Sequence, residues 1–294
     1  MRLNDNMRGA ALMTGCVSAY VINDAFMKFL FSEIALFQAV FLRSIITVPP
    51  VLLMVWLTKV TLRDLAKQDI RLIWLRVGAE ICTTIAFLTA LKYMPLANVT
   101  AILQALPLAV TMAAALFLAE PIGWRRWSAI LVGFVGVLIV VRPGLDGFNV
   151  YSLSALAAII FITVREIATR KLAQEVPTIT VVLSTAIGSA VFAGIMMVGA
   201  EWHAVSTSSW LLLIGAAFAV LIATLLSVMA MRTGEIGFVS PFRYTSMLGA
   251  IGLGILMFGE WPDQPTLAGT LIIVMTGIYT FHREQKISRG VAAT

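Results

Sequence analysis

Histidine and cysteine are almost missing from this chain, with two of each in 294 residues. His203 and His282 fall at the watery ends of apolar stretches. That leaves no cluster to bind zinc and no histidine for a nucleophile–base pair, so neither a metal site nor catalytic residues are expected. Cys16 and Cys82 lie inside apolar runs, which predicts buried thiols rather than a disulfide framework. No Gly-Lys-Ser/Thr phosphate loop occurs anywhere, which argues against energy from bound ATP; no cofactor is expected. Charged residues make up only 12% of the chain. Continuous polar sequence is confined to the ends and residues 59–71, too little for a soluble catalytic domain.

What the chain does have is apolar sequence. Hydrophobic residues make up 60% of it and mean hydropathy is +0.95, outside the soluble globular range. The apolar residues come in stretches of about 20 separated by short polar turns, as membrane-spanning helices require. Residues 127–141 carry no charge and no polar face. Spans are predicted near residues 7–29, 36–58, 72–91, 96–119, 127–141, 150–170, 178–200, 210–231, 236–258 and 266–280. The fold class is therefore all-α, a polytopic membrane protein of ten transmembrane helices. Lipid cannot satisfy free backbone groups, and the two-residue alternation of a β-barrel is absent. Residues 9–22 follow Arg8 as a signal peptide would, but Asn23, Asp24, Lys28 and another hydrophobic span come next. They read as a retained first helix.

The formal charge of +6 is scattered over loops and forms no stripe suited to nucleic acid. It makes better sense as topology. With the N-terminus inside, cytoplasmic segments collect Arg2, Arg8, Lys59, Arg63, Lys67, Arg71, Arg125, Arg126, Arg170, Lys171, Arg232, Arg283, Lys286 and Arg289. External loops keep Lys92 and Arg142, with Lys28 near an outer helix end. Both termini are expected in the cytoplasm.

An internal repeat emerges next. Residues 90–120 lie over 230–260 without a gap, superimposing Lys92 on Arg232, Val99 on Val239, Leu108 on Leu248 and Glu120 on Glu260. Each closing glutamate precedes a proline turn, Glu120-Pro121 and Glu260-Trp261-Pro262. The starts of the halves match more weakly, with Asp24 over Glu166 and Lys28 over Arg170. Five helices per half is odd, so the second copy enters the membrane upside down. The expected units are residues 1–145 and 146–294, two inverted repeats of the kind used for alternating access.

Residues Pro95-Leu96-Ala97-Asn98-Val99, Glu120-Pro121 and Gly133-Phe134-Val135-Gly136-Val137 carry a family resemblance. So do Gly234-Glu235-Ile236-Gly237 and Phe258-Gly259-Glu260 in the second half. The chain resembles the drug/metabolite transporter superfamily, in particular its EamA-type ten-helix branch, over residues 7–282. The opening Asn6-Met7-Arg8-Gly9, with Asn23-Asp24-Ala25-Phe26-Met27-Lys28 and Leu36-Phe37-Gln38-Ala39, looks like a bacterial subgroup of riboflavin importers or amino-acid exporters. The resemblance implies a bacterial inner-membrane carrier. It also implies a central cavity lined by helices one, three, four, six, eight and nine.

Charges at membrane depth are costly and mark candidate sites. Asp24, Lys28, Arg43, Arg76, Glu80, Arg165, Glu166 and Arg243 form that set. Arg76 and Glu80 are i,i+4 on helix three, hence on one face and able to pair. Glu80 and Arg243 lie about nine and eight residues into their helices, a shared depth at a rise of ~1.5 Å per residue. Two readings stand side by side. Either these are fixed ion pairs that hold helices together, or Glu80 and Arg243 flank the cavity and bind substrate or a coupling proton. Asp24 with Arg43 in the outer third, and Arg76 with Glu166 in the inner third, are candidate gates; Lys28 and Arg165 complete the ion-pair set. Around the mouth of helix four stand Tyr93, Asn98, Thr100 and Gln104, with Ser240, Tyr244, Thr245 and Ser246 in the inverted copy. Such residues suit a modest amphipathic molecule, or they bond across helices. Pro107 and Pro241 are expected to interrupt helices four and nine. Gly133, Gly136, Gly249, Gly252 and Gly254 give thin faces for close packing. The seven tryptophans cluster at predicted helix ends as an interfacial belt.

The function these features predict is secondary transport of a small organic metabolite, with riboflavin-like uptake and amino-acid export as the leading alternatives. Drug- or nucleoside-like efflux follows. Glu80 or Asp24 would supply any proton coupling. A membrane-embedded enzyme would need a paired acid, metal cluster or nucleophile–base set at one depth, and Glu80 has no such companion. The partners expected are a small-molecule substrate and the bilayer, without nucleic acid; the sequence does not define the oligomeric state.

Overall fold

The computed structural model of the chain describes residues 2–59, 65–117, 123–144, 148–233 and 239–291, and all regular structure there is helical. The helices are α1 (Arg2–Leu30), α2 (Leu36–Thr58), α3 (Lys67–Tyr93), α4 (Leu96–Leu103), α5 (Leu106–Phe117), α6 (Trp124–Val141), α7 (Tyr151–Lys171), α8 (Thr178–Met196), α9 (Thr207–Arg232), α10 (Thr245–Phe258) and α11 (Gln264–Val291). A 3-10 segment, Ser240–Tyr244, leads directly into α10. Taking α4 with α5, and the 3-10 segment with α10, as single interrupted spans gives the ten helices that the apolar runs predict. Among the described residues, seven spans are long and apolar enough to cross a bilayer; residues 127–141, 245–258 and 264–279 are shorter.

Both interruptions have a local cause. Pro107 lacks an N–H, and its ring clashes with the carbonyl one turn earlier, so the fourth span breaks at Gln104–Ala105 before restarting as α5. Pro241 lies in the first turn of the 3-10 segment, where a missing donor costs least. Pro49 and Pro50, by contrast, stay inside α2 without ending it. Lys59 and Arg142 close α2 and α6 in the left-handed region, at φ 49° and 51°.

The helices pair across the chain. α1 runs along α9, α3 along α7, α6 along α11 and α2 along α8, while α4 crosses α10. Between lipid-facing helices there is little hydrophobic gain, so close contact and interhelical hydrogen bonds carry association. The α6–α11 pair shows how close: a Cβ on Gly136 would stand 2.9 Å from the Gly269 carbonyl, and one on Gly269 would stand 2.6 Å from that of Gly136. Gly133 is likewise closed off by Leu108 and Thr276.

The expectation for the other glycines is only partly met. Gly249 faces Val21, but among the described residues nothing stands within 4 Å of a Cβ on Gly252, and one on Gly254 would meet the Glu260 carbonyl at an ordinary 3.6 Å. Trp56, Trp74, Trp124, Trp202, Trp210 and Trp261 are exposed. Cys16 is buried and Cys82 half-buried, both as free thiols. Glu120-Pro121 and Gly234-Glu235-Ile236-Gly237 lie outside the described residues.

Candidate functional site

A cavity opens where α1, α3, the α4–α5 break, α7, α9 and the 3-10 segment converge, and α2 adds Arg43 to its wall. It encloses about 900 Å³ of space, its open mouth included. Its lining mixes apolar side chains, Val17, Val21, Phe87, Leu88, Leu103 and Leu106, with polar ones, Asn23, Asp24, Thr83, Thr100, Gln104 and Ser246. A smaller cavity of about 430 Å³, lined by Ser44, Thr47, Thr185 and Thr224, shares Arg43, Glu80 and Thr84 with it. These two charged side chains therefore stand in the partition between the chambers.

Four ionised groups form one chain of alternating sign. Arg165 Nη1 donates to Glu80 at 2.7 Å, Arg165 Nη2 lies 3.8 Å from Glu166, and Arg243 Nη2 donates to Glu166 at 2.6 Å. All four are buried or nearly so, where each charge is tolerable only because the next one faces it. Glu80, Arg165 and Arg243 border the cavity; Glu166 does not.

This wiring corrects the pairings expected from helix position. Arg76 does not pair with Glu80, although the two are one turn apart, because Arg76 points to α7 and α8 and donates to the hydroxyls of Thr169 (2.8 Å) and Thr185. Nor does Arg76 meet Glu166, which Arg243 occupies. In the other third, Asn23 comes between Asp24 and Arg43. Arg43 Nη1 donates to Asn23 Oδ1 at 2.9 Å, and Asn23 Nδ2 donates to Asp24 Oδ1 at 2.9 Å. Asp24 and Arg43 thus face the cavity with no direct ion pair between them among the described residues.

The polar residues of the broken spans divide. Gln104 donates to the Tyr244 carbonyl at 3.3 Å and accepts from Ser246 at 3.4 Å, tying the two interruptions together at the cavity. Tyr93 lies elsewhere, about half exposed and stacked on Tyr151 with ring centroids 4.2 Å apart. Asn98 accepts from Thr266 at 3.4 Å, away from the cavity. Tyr244 turns its hydroxyl toward Gly277 and α11, not toward the cavity. The Ser240 side chain lies outside the described residues.

Thr83 carries no signal in the sequence, and Glu260 is marked there only as the residue closing the second copy of the repeat. Thr83 lines the cavity with its hydroxyl buried and unpartnered among the described residues, a costly arrangement without a visiting hydrogen-bond partner. Glu260 gathers three helix ends on one face. It pairs with Lys28 Nζ at 2.7 Å and accepts from the backbone N–H of Leu96 at 2.9 Å, capping the start of α4. Lys28 also donates to the Met94 carbonyl at 2.6 Å. Beside this knot, Arg142 donates to Asp263. Partial burial pushes the Asp263 carboxyl up, but hydrogen bonds from Arg142 and from the Thr266 backbone outweigh it and hold it below its ordinary value.

Comparison with known proteins gives a consistent picture. The sequence pattern of the EamA-like transporter family matches the chain twice, over residues 7–142 and 150–281. A riboflavin transporter of Vibrio cholerae is 30% identical over 217 residues, 73% of this chain and 72% of that protein. An S-adenosylmethionine uptake transporter of Rickettsia conorii is 26% identical over 199 residues, 67% of this chain and 66% of that one. A pseudopaline exporter of Pseudomonas aeruginosa is 24% identical over 216 residues, 73% of this chain and 76% of that protein. A solved crystal structure, 17% identical, covers 94% of this chain and 98% of its own with a TM-score of 0.67, and so shares the fold.

Proposed function

The chain belongs to the EamA-like transporter family of small-metabolite carriers, and on that premise we propose that it moves a riboflavin-like heterocyclic metabolite by alternating access around the central cavity. The observation that carries this is the cavity's mixed lining. Phe87 and its aliphatic neighbours suit a flat ring, and Asp24, Arg43, Thr83 and Gln104 suit a hydroxylated or charged arm. The riboflavin and S-adenosylmethionine transporters among the relatives, by their names, move molecules of this build. Amino-acid export is the second reading. It is favoured by Asp24 and Arg43, opposite charges that both border the cavity and are bridged by Asn23 rather than paired directly.

The moving parts are two inverted repeats, residues 1–145 and 146–294. The double family match supports this division, and so does the helix pairing. Exchanging each span with the one five places on turns the α1–α9 contact into the α3–α7 contact and leaves the other three pairs unchanged. Both termini face the cytoplasm of a bacterial inner membrane by the distribution of Lys and Arg. Lys28 and Glu260 then close the outer face. Asp24 carries any coupling proton, because Glu80 is bound to Arg165 whereas Asp24 has only Asn23.

Uptake of labelled riboflavin, S-adenosylmethionine and amino acids into liposomes holding the purified protein, with and without a pH gradient, tests this. Flux of the flavin, competed by related heterocycles, is the expected result. Flux of amino acids with none of the flavin would transfer the proposal to its second reading.

A further inference from the structure

A second concave surface lies outside the transport path, between α3 and α8 on the face turned to lipid. It is a groove enclosing about 1230 Å³ of space, open side included, with walls of Ile73, Trp74 and Val77 from α3 and Leu183, Ile187 and Val191 from α8. Its depth comes from Gly188, where a Cβ would run into the Val77 side chain, so the two helices touch at the floor while their larger residues flare outward. Along α8 it runs from Thr180 to Ile195, roughly 22 Å at ~1.5 Å per residue. One leaflet of a ~30 Å hydrocarbon core is shallower than that.

One end of this groove is not apolar. Thr180 borders the groove and is 5% exposed, and its buried hydroxyl has no partner among the described residues. One turn along, the Ser184 hydroxyl donates to the Thr180 carbonyl at 2.8 Å and keeps its lone pairs free to accept. At the same end α3 begins, and Lys67, Arg71 and Trp74 follow at i, i+4 and i+7 on one exposed stripe. No described carboxylate pairs with Lys67 or Arg71; Asp69, between them in sequence, faces inward and accepts from the Ala173 backbone at 3.1 Å. The first turn of α3 adds the positive end of its dipole.

We propose that this groove is a binding site for an anionic glycerophospholipid. One acyl chain fills the apolar length, the ester region meets Thr180 and Ser184, and the phosphate meets Lys67 and Arg71. Two cations without a counter-charge among the described residues favour a headgroup of net negative charge over a zwitterionic one. The site is separate from the transport cavity and does not depend on the identity of the transported solute.

Native mass spectrometry of the detergent-purified protein, with phosphatidylglycerol or phosphatidylethanolamine of identical chains added, reads it directly. The expected result is at least a fivefold preference for phosphatidylglycerol in bound adducts. That preference is lost in Lys67→Gln/Arg71→Gln, while Ile187→Trp, which fills the groove, reduces adducts of both lipids. Melting temperature and solute uptake establish that each variant is folded. Equal adducts of the two lipids in the unaltered protein would overturn the proposal, as would undiminished preference in the double variant. A dimer that Ile187→Trp dissociates would also overturn it, since a second copy would then occupy the groove.

Discussion

Glu80 is fully committed where it stands: it holds Arg165, which in turn approaches Glu166 and through it Arg243. Replacing Glu80 with Ala leaves a buried guanidinium without its counter-ion. Loss of one partner of a buried pair costs about 3–5 kcal/mol, so a large fall in melting temperature is expected by scanning fluorimetry, and transport falls with it. Thr83 behaves oppositely. Its hydroxyl has no partner to lose, so Thr83→Val leaves the melting temperature unchanged or higher, yet raises KM about fivefold through one missing substrate hydrogen bond of ~1 kcal/mol. An unchanged KM would remove Thr83 from the site. Asp263 provides the pH-dependent case. Its folded pKa lies below the unfolded value, so its contribution to stability is present above about pH 4 and fades as pH falls through the folded pKa. Thermal melts of Asp263→Asn converge with those of the unaltered protein below that pH and separate above it.

At the scale of helices, the interruptions and the glycine contacts were legible because each follows from the chemistry of one residue. Pro107 and Pro241 each lack the donor that an unbroken ladder would use at their positions, although Pro49 and Pro50 stay inside α2 without breaking it. Gly133 and Gly136 signalled a thin face on α6, but Gly269, which meets Gly136 backbone to backbone, is the partner that makes the face matter. Gly269→Val forces α6 and α11 apart. Overpacking of this kind costs about 1–3 kcal/mol, and a lower melting temperature with reduced recovery of folded protein from membranes is expected. Gly252→Val, in open space, is expected to leave both unaltered.

The whole molecule depends on contacts that join distant parts of the chain. Glu260 serves Lys28 and the start of α4 together. Glu260→Gln keeps an acceptor for Leu96 but gives up the charge, whereas Glu260→Ala gives up both. Liposome uptake is therefore expected to fall in the order unaltered, Gln, Ala, and Lys28→Gln adds little to Glu260→Ala because the carboxylate it pairs with is already gone and only its bond to the Met94 carbonyl remains to be lost. Additive losses would show that the two side chains act separately.

Hydropathy and charge distribution determined the membrane class and the ten spans, and short motifs such as Pro95-Leu96-Ala97-Asn98-Val99 carried the resemblance to the family, since each depends on what a segment is made of rather than on what it meets. Partnership is another matter. Depth along a helix placed Arg76 beside Glu80 and Asp24 beside Arg43. The rotation of α2, α3 and α7 about their axes instead delivered Arg165 to Glu80, threonines to Arg76 and Asn23 to Arg43. That rotation is set by packing against neighbours from other helices, 20 to 109 residues away in the chain for these contacts, and only the tertiary structure could decide it.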